Sequence, residues 1–486
     1  MQPLMIQGTS TGAGKTVLVA GLCRLFANRG LRVAPFKAQN MSLNSYVTRN
    51  GEEIARATAI QAAGAHQEPL VHMNPILLKP KMDNVAQLII HGKPYADVDA
   101  KSYFASDLLQ ARKLDAIMES FAYLQQHYDL VIAEGAGSCA EPNLRARDVV
   151  NMGIAHRIDA RVYIVADIDK GGAFADLIGA TEVMKHTEPS DLDRVHGFVL
   201  NKFRGDPSLL TPAIEFTQGR TGKPITGVLP YFHDLNFEEE DRVREFRLRD
   251  FDIDIAVLYL PHISNANDLD FLADERGVQV RYVRDADRLG FPDAIIIPGT
   301  KNTTRDLAHL HRVGLPARLH ELAGRVPIIG ICGGYQILAH HLSDPDCLES
   351  DLGSMEGLGL LDVDMEFLAD KTLAQRHYEP TAENFLRGAG SVEGYEIHSG
   401  IAHYRGATPA YESSAGPEGA VDGKRQILGT FIHDLFANPR VVRTFVNDLR
   451  ERKRLPPLTG SSINRRSLAE RTYDVLAEAL ATHCRF

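Results

Sequence analysis

The sequence predicts two successive α/β domains, each built around a mostly parallel sheet. Short apolar runs bounded by turns alternate with stretches of helical periodicity in residues 1–236, and the same alternation restarts at residue 251. Strands that are buried on both faces and alternate with helices are typical of doubly wound sheets. A highly charged segment, 237–252, separates the two series, and we interpret it as a solvated linker, although an exposed helix face would carry the same pattern. The second domain is predicted to span 251–440, and 441–486 to form a C-terminal tail.

The individual elements follow from their apolar patterns. Apolar residues recur at helical spacing after Lys15 and again over 106–126, and both stretches are predicted helices. Ser467 and Glu470 form a capping-box pattern, which predicts that the last helix begins at Ser467. The predicted strands are the short apolar runs at 4–6, 33–36, 130–133, 162–166, 197–200, 253–260, 278–283, 294–298, 327–331 and 428–432.

Charge and cysteine content exclude several classes of protein. The 486 residues carry a formal net charge of −10, whereas nucleic-acid-binding domains are usually basic, so we expect no nucleic-acid partner. Because apolar runs are short and the N-terminus reads directly into a strand, neither a membrane span nor a leader is expected. The five cysteines match no zinc spacing, and their odd number argues against a disulfide framework, so a cytoplasmic location is predicted.

A glycine-rich loop between the first strand and the first helix is a predicted ATP site. It is one residue longer than the common Walker loop. Glycines allow backbone N–H groups to turn onto phosphate, and the helix N-terminus adds the positive end of its dipole. Lys15 would neutralise the β- and γ-phosphates, and the Thr16 hydroxyl would ligate Mg²⁺. The predicted ATP-binding residues of this loop are Gly8, Thr9, Ser10, Thr11, Gly12, Ala13, Gly14, Lys15 and Thr16.

Other polar residues follow buried strands of the same domain. Glu134 ends one strand, at the edge where ligands bind in open α/β sheets, and we predict that it is the second Mg²⁺ ligand. Asn201 and Lys202 directly follow another strand and are predicted to bind ATP, at its base. Asp167 and Asp169 are secondary candidates for the phosphate and substrate region.

The second domain contains a cysteine between a predicted strand and a predicted helix, in Gly330-Ile331-Cys332-Gly333-Gly334. This is the thiol form of a nucleophile elbow, in which glycines leave room for a tight turn. The N-terminus of the following helix would stabilise the thiolate. His433 ends the last predicted strand and is the predicted general base and acid for Cys332.

Two glycines are candidates for holding an oxyanion beside this cysteine. Gly333 directly follows Cys332, and Gly299 follows the strand predicted at 294–298, although a plain turn glycine would look the same there. His398 is a second candidate for the base. Asp434 is the acid nearest to His433, but on a continued strand it would face the opposite side, so no residue is predicted to orient the imidazole.

Together these motifs resemble a known family. The extended loop is similar to that of dethiobiotin synthetase relatives, and the late cysteine elbow narrows the resemblance to the cobyric acid synthase family of cobalamin biosynthesis. The resemblance covers nearly the whole chain. The other segments that carry it are Pro35-Phe36-Lys37-Ala38-Gln39-Asn40-Met41-Ser42, Asn201-Lys202-Phe203-Arg204-Gly205-Asp206 and Gly394-Tyr395-Glu396-Ile397-His398.

The resemblance implies a dethiobiotin-synthetase-like P-loop domain that forms amides with ATP, followed by a class I glutamine amidotransferase domain. It implies amidation of the b, d, e and g carboxylates of adenosylcobyrinic acid a,c-diamide to give cobyric acid. ATP, Mg²⁺ and glutamine as nitrogen donor would be required, with cobalt present only within the corrinoid substrate. The family also implies a glutaminase site that lacks the third, carboxylate member. The sequence does not indicate an oligomeric state.

Three other functions fit parts of the sequence. Cobyrinic acid a,c-diamide synthase performs the same chemistry on other carboxylates. CTP synthase also joins a phosphate loop to a glutaminase, but a His-Pro-Glu triplet would be expected where this chain has His433-Asp434-Leu435. A partitioning or regulatory ATPase would use the loop as a switch, and such loops often carry an extra lysine near their start, where Thr9-Ser10-Thr11 stands here.

Overall fold

The computed structural model describes residues 1–82, 84–232, 250–460 and 465–486 and divides the chain into two compact units. The first unit comprises Met1–Ser42, Glu52–Glu240 and Arg466–Phe486, and the second comprises Leu43–Gly51 and Asp241–Arg465. Each unit contains a six-stranded, mainly parallel sheet, so the predicted fold class is confirmed. The predicted linker, 237–252, lies outside the described residues except for its last three positions.

Two pieces of the chain differ from the predicted division into domains. Residues 43–51 belong to the second unit, although sequence order places them in the predicted first domain. Residues 466–486 belong to the first unit and do not form a separate tail.

The central sheet of the first unit is parallel throughout. Its apolar strands are buried on both faces, which explains their nearly continuous hydrophobic sequences. Because parallel strands end at the same edge, the loop after Gly8 and the residues Glu134, Asp167 and Asn201 all lie along that edge. From one edge of the sheet to the other, the strands are Ile225–Pro230, Val195–Phe203, Arg161–Asp167, Leu4–Gly8, Leu130–Glu134 and Val33–Phe36.

The first unit also contains a smaller sheet and a set of helices. The smaller sheet consists of Gln39–Met41, Ile76–Met82, Val85–Ile90 and Lys93–Asp99, and Glu53–Ala55 is a further short strand. The α-helices are Lys15–Asn28, Arg56–Gly64, Ala100–Ala105, Asp107–His127, Met152–Arg157, Ala173–Thr187, Asp191–Arg194, Thr211–Thr221 and Arg465–His483.

The C-terminal helix Arg465–His483 packs on the first helix of the chain. An added Cβ on Gly21 would lie 2.6 Å from Leu480, so the two helices approach closely at a glycine. The capping-box prediction is wrong, because the helix begins two residues before Ser467 and the Glu470 carboxylate instead pairs with Arg24. None of the helices in the described ranges has a stretch long and apolar enough to cross a membrane.

The central sheet of the second unit has five parallel strands and one antiparallel edge strand. The strand predicted at 428–432 is in fact two strands, because Ile427–Thr430 belongs to this sheet whereas Ile432–His433 pairs with Val392–Tyr404 in a second sheet. In spatial order the strands of the central sheet are Val278–Val283, Ile253–Leu258, Ala294–Ile297, Ile328–Ile331, Ile427–Thr430 and Ala420–Asp422.

The second sheet of this unit is mainly antiparallel and carries residues that surround the cysteine elbow. Its strands are Met355–Glu356, His341–Ser343, Val363–Pro380, Val392–Tyr404 and Ile432–His433. Tyr411–Ser413 pairs with Val363–Pro380, and Gly416–Glu418 pairs with Tyr411–Ser413. Ser45–Val47 is a further short strand. The α-helices are Asp270–Asp274, Thr303–Arg312, Leu315–Leu322, Gly333–Leu338 and Pro439–Arg452.

Candidate active sites

The predicted phosphate loop connects the strand Leu4–Gly8 to the helix Lys15–Asn28. Gly12 and Gly14 have φ angles of 78° and 103°, a region that disfavours residues with a Cβ. The Lys15 ammonium donates to the carbonyl oxygens of Ser10 and Gly137, at 3.0 and 2.9 Å, and is held within the loop. The loop therefore has the glycine conformations and the lysine position that a phosphate site requires.

Glu134 and Thr16, the two predicted Mg²⁺ ligands, lie in contact. The Thr16 hydroxyl donates to Glu134 Oε1 at 2.9 Å, and the buried Lys37 ammonium donates to the same oxygen at 3.1 Å. The Gln61 side-chain amide donates to the other carboxylate oxygen. A hydroxyl and a carboxylate beside the phosphate loop fit Mg²⁺, which takes oxygen donors and usually shares them with substrate phosphates.

Asn201 and Lys202 contact the backbone of the phosphate loop. The Asn201 amide donates to the Ala13 carbonyl at 2.9 Å, and the Lys202 ammonium donates to the Gly12 carbonyl at 2.9 Å. Lys202 also pairs with Asp167 at 2.8 Å. The structure thus places these residues, predicted to bind ATP at its base, against the loop that would hold its phosphates.

A cavity of about 480 Å³ opens beside this loop. Thr9, Ser10 and Thr11 line it, together with the segment that follows Glu134. Asn151 fixes that segment, since its amide donates to the carbonyls of Ala136 and Ser138 at 2.7 and 2.9 Å. The Thr9 hydroxyl is buried and has no hydrogen-bond partner among the described residues, so it can serve a bound ligand.

Cys332 lies on a strained turn between the strand Ile328–Ile331 and the helix Gly333–Leu338. Its φ and ψ are 52° and −110°, a region that residues with side chains rarely adopt. A Cβ added to Gly330 would lie 2.5 Å from the carbonyl oxygen of Gly334. A Cβ added to Gly334 would lie 2.0 Å from the carbonyl oxygen of Ile297. The glycines are therefore required by close backbone contacts, as in a nucleophile elbow.

His433 lies beside the cysteine and is oriented by a carboxylate. Nδ1 of His433 donates to Oδ2 of the buried Asp268 at 2.6 Å. Cys332, whose Sγ donates to the Ile397 carbonyl at 3.7 Å, is close enough to the ring to influence the pKa of His433. Burial alone would lower the pKa of His433, but the charges of Asp268 and Cys332 and their hydrogen bonds raise it to about 10. His433 and Asp268 therefore form a buried imidazole–carboxylate pair beside Cys332.

The expectation that the glutaminase site lacks a carboxylate is therefore wrong for this chain. Asp268 lies in the turn Ala266–Leu269, and its second oxygen accepts the Asp434 N–H at 3.0 Å. Asp434 itself has a φ of 60° after the last strand residue, and its backbone N–H contributes to the orientation of His433 through Asp268.

Of the two predicted oxyanion glycines, Gly333 begins the helix after Cys332, and Gly299 lies on the loop that approaches the elbow. An added Cβ on Gly333 would lie 2.5 Å from the Thr300 side chain, and one on Gly299 would lie 3.3 Å from Cε1 of His433. Among the described residues, neither glycine N–H donates a backbone hydrogen bond. Both remain candidates for oxyanion donors.

His398 belongs to a separate buried network. Its Nε2 lies 2.9 Å from Glu396 and its Nδ1 lies 2.7 Å from the Gly400 carbonyl, while its ring stacks on Phe431. With both nitrogens engaged there, the structure favours His433 over His398 as the base for Cys332.

Two family models match the chain in succession. One is described as a CobQ/CobB/MinD/ParA nucleotide binding domain and matches residues 4–243. The other is described as a CobB/CobQ-like glutamine amidotransferase domain and matches residues 254–441.

Full-length relatives decide the family. A cobyric acid synthase of Desulforamulus reducens is 44% identical over 499 aligned residues, which cover 99% of this chain and 96% of that protein. A cobyric acid synthase of Yersinia enterocolitica is 42% identical, and the alignment covers 99% of this chain and 96% of that protein. A cobyric acid synthase of a Thermoanaerobacter species is 43% identical, and the alignment covers 98% of this chain and 95% of that protein. The chain belongs to the cobyric acid synthase family.

As a member of the cobyric acid synthase family, the chain is an enzyme that joins a nucleotide-binding domain to a glutamine amidotransferase domain. The sequence patterns predict no site role for Lys37, Gln61, Asn151 or Asp268. Lys37 directly follows a buried strand, the same signal that pointed to Asn201, and could have been found. The others lie in helices or turns without such a signal.

Proposed function

We propose that this enzyme amidates the b, d, e and g carboxylates of adenosylcobyrinic acid a,c-diamide to cobyric acid, with ATP and glutamine. The observation that carries the proposal is that one chain of this family holds both a Cys332–His433–Asp268 glutaminase arrangement and a phosphate loop with Lys15 beside Thr16 and Glu134. Ammonia made at the first site would be used at the second. A partitioning or regulatory ATPase would have no use for the glutaminase.

In the glutaminase reaction, the Cys332 thiolate attacks the side-chain amide carbon of glutamine. The N–H groups of Gly299 and Gly333 would hold the oxyanion that forms. His433 then donates a proton to the departing nitrogen, which leaves as ammonia, and a glutamyl thioester remains on the sulfur. A water molecule that gives its proton to His433 hydrolyses the thioester, releases glutamate and restores the thiolate.

In the synthetase reaction, a carboxylate oxygen of the corrinoid attacks the γ-phosphorus of ATP, and ADP leaves. The acyl phosphate is a good electrophile, and ammonia displaces its phosphate to leave an amide. Lys15 and the backbone N–H groups of the loop would stabilise the transferred charge. Bound Mg²⁺, held by Thr16 and Glu134, would neutralise the β- and γ-phosphates.

The cavity beside the phosphate loop is the proposed entry for the acceptor carboxylate. It adjoins Thr9, whose buried hydroxyl can donate to a carboxylate oxygen.

The cysteines support a reducing, cytoplasmic location, since all five lie in the described residues and none forms a disulfide.

Two variants test the coupling of the two reactions. We expect Cys332→Ala to lose glutamine-dependent amidation but to retain amidation with free ammonia, because only the nitrogen source is removed. Lys15→Ala should lose amidation with both nitrogen sources. Amide formation is measured by mass spectrometry of the corrinoid, and glutamate release is measured in parallel. Normal glutamate release by Cys332→Ala would refute the assignment of the nucleophile.

A further inference from the structure

The segment Leu43–Gly51, called the insert below, is separated in sequence from the unit to which it belongs. Ser42 and Glu52 on either side belong to the first unit, whereas the insert belongs to the second unit, with the cysteine elbow. Its middle is the short strand Ser45–Val47, in which Ser45 and Val47 are fully buried. Side chains of the second unit contact this strand.

Side chains of the second unit form hydrogen bonds with the backbone of the insert. The Ser45 N–H donates to Oδ1 of Asn265 at 2.9 Å, and the Tyr395 hydroxyl donates to the Ser45 carbonyl at 2.9 Å. The Gln375 side-chain amide donates to the Val47 carbonyl at 2.5 Å. Val47 also packs in one apolar cluster with Tyr395. Both backbone groups of Ser45 are therefore bound by side chains of the second unit.

The two residues that bind Ser45 also contact the catalytic imidazole. The Asn265 amide nitrogen lies 3.3 Å from Nε2 and 3.4 Å from Nδ1 of His433. The rings of Tyr395 and His433 are stacked, with centroids 5.3 Å apart and an interplanar angle of 23°. Asn265 also accepts the Asp268 N–H at its carbonyl, so it begins the turn that carries the orienting carboxylate.

We propose that the insert positions His433 for catalysis through Asn265 and Tyr395. This inference rests on the proposed function, because it assigns the insert to the glutaminase reaction. The Ser45 groups that Asn265 and Tyr395 bind are backbone groups, which transfer no proton, so the insert is a positioning element. With the insert loosened, Asn265 and Tyr395 would hold the imidazole less firmly between Asp268 and Cys332, and proton transfer would slow.

The test uses the full chain and two variants that leave the ring contacts of His433 in place. Tyr395→Phe removes the hydroxyl that binds Ser45 but keeps the stacked ring, and Gln375→Leu removes the donor to Val47. Each variant should lower kcat for glutamate release about fivefold, the equivalent of one buried hydrogen bond, and leave KM for glutamine within about twofold. Amidation driven by free ammonia should be unchanged.

A pH profile separates positioning from a general loss of folded enzyme. The titratable groups that face His433 are Asp268, Cys332 and Tyr395. The fall of kcat/KM for glutamine at high pH is called the alkaline limb of the profile. If the imidazole is held less well between Asp268 and Cys332, the alkaline limb should move to lower pH in both variants. A lower fraction of folded enzyme would scale the whole profile without moving that limb.

Tyr404→Phe is the matched control. Tyr404 lies on the same strand as Tyr395 and also donates its hydroxyl to a backbone carbonyl, that of Gly419, at 2.7 Å. We expect Tyr404→Phe to release glutamate with the kcat of wild type and to leave the alkaline limb of the kcat/KM profile at the same pH. The inference is overturned if Tyr395→Phe and Gln375→Leu both match this control. Persistent glutamate release by Cys332→Ala would instead overturn the proposed function, so the two failures are distinguishable.

Discussion

The carboxylate of Asp268 accepts a 2.6 Å hydrogen bond from Nδ1 of His433, although 165 positions separate the two residues in the chain. The side chains of both are nearly fully buried, at 4% and 1% exposure, so solvent cannot replace this bond. In the proposed glutaminase reaction, the aspartate would fix which ring nitrogen faces Cys332 and would stabilise the imidazolium that forms.

Replacing this carboxylate by an amide should disable the glutaminase alone. Asp268→Asn should lower kcat for glutamate release by about 10²- to 10⁴-fold, because the imidazole loses both its orientation and its compensating charge. Asp268 and Cys332 raise the pKa of His433 to about 10. Without the carboxylate this pKa should be lower, so the loss of glutaminase activity at high pH should begin at a lower pH. Glutamate release is followed across pH, with ammonia-driven amidation as the measure of intact synthetase.

Asp434→Asn is the control for that change. Its backbone N–H, which donates to Asp268, is retained, and asparagine tolerates the φ of 60° at this position. We expect a glutaminase rate within about threefold of wild type. Equal loss of activity in both variants would show that Asp268 has no special role in orienting His433.

Glu418 should make the stability of the protein depend on pH in a defined direction. Burial and the nearby charge of Glu396 raise the pKa of Glu418 from 4.5 to about 8. The folded state therefore holds this proton more tightly than the unfolded chain, and stability falls as pH rises from about 4.5 to about 8. Glutamine cannot ionise, so Glu418→Gln should gain stability relative to wild type as pH rises through this window.

Thermal unfolding midpoints at about pH 5 and about pH 9 measure this difference. The control is Glu412→Gln on the paired strand Tyr411–Ser413, where the glutamate is exposed and its charge is solvated. The change in midpoint that Glu412→Gln causes at each pH is subtracted from the change that Glu418→Gln causes. A remaining Glu418→Gln difference that is independent of pH would contradict the assigned titration.

Gly14→Ala should abolish the use of ATP without affecting the glutaminase. The φ of Gly14 is 103°, and an added Cβ would lie 2.1 Å from the amide nitrogen of Asn201. The loop would have to move, and we expect ammonia-driven amidation to fall by more than about tenfold. Glutamate release measured in the same sample should be retained.

Gly179→Ala provides the matched substitution. Gly179 lies inside the helix Ala173–Thr187, and an added Cβ there meets nothing within 4 Å. Since alanine favours helix more than glycine does, activity should be unchanged and stability slightly higher. Full amidation activity in Gly14→Ala would show that the loop does not hold the phosphates as described.

Local patterns were sufficient for the features that are themselves local. The phosphate loop and the Cys332 elbow each lie within one strand–turn–helix, so glycines and strand ends near them in sequence identify them. Asp268 could not be identified in this way, because only the folded sheet brings its turn to His433. The Ser467 capping box also failed for a tertiary reason, since Glu470 pairs with Arg24 and does not cap the helix.

The insert shows the same limit at the level of domains. Residues 43–51 follow the second strand of the first domain in sequence, and their composition does not distinguish them from its loops. Their place in the second unit depends on Asn265, Gln375 and Tyr395, which lie more than two hundred positions later. Contacts between segments so distant in the chain carry no periodic signal.

The most direct test of the central claim follows nitrogen from glutamine to the corrinoid. Adenosylcobyrinic acid a,c-diamide is incubated with the enzyme, ATP, Mg²⁺ and glutamine labelled with ¹⁵N in its side-chain amide, and the product is analysed by mass spectrometry. We predict four new amides, all labelled, with wild-type enzyme, and none with Cys332→Ala unless ammonia is supplied. Release of labelled ammonia without any amide on the corrinoid would contradict the account.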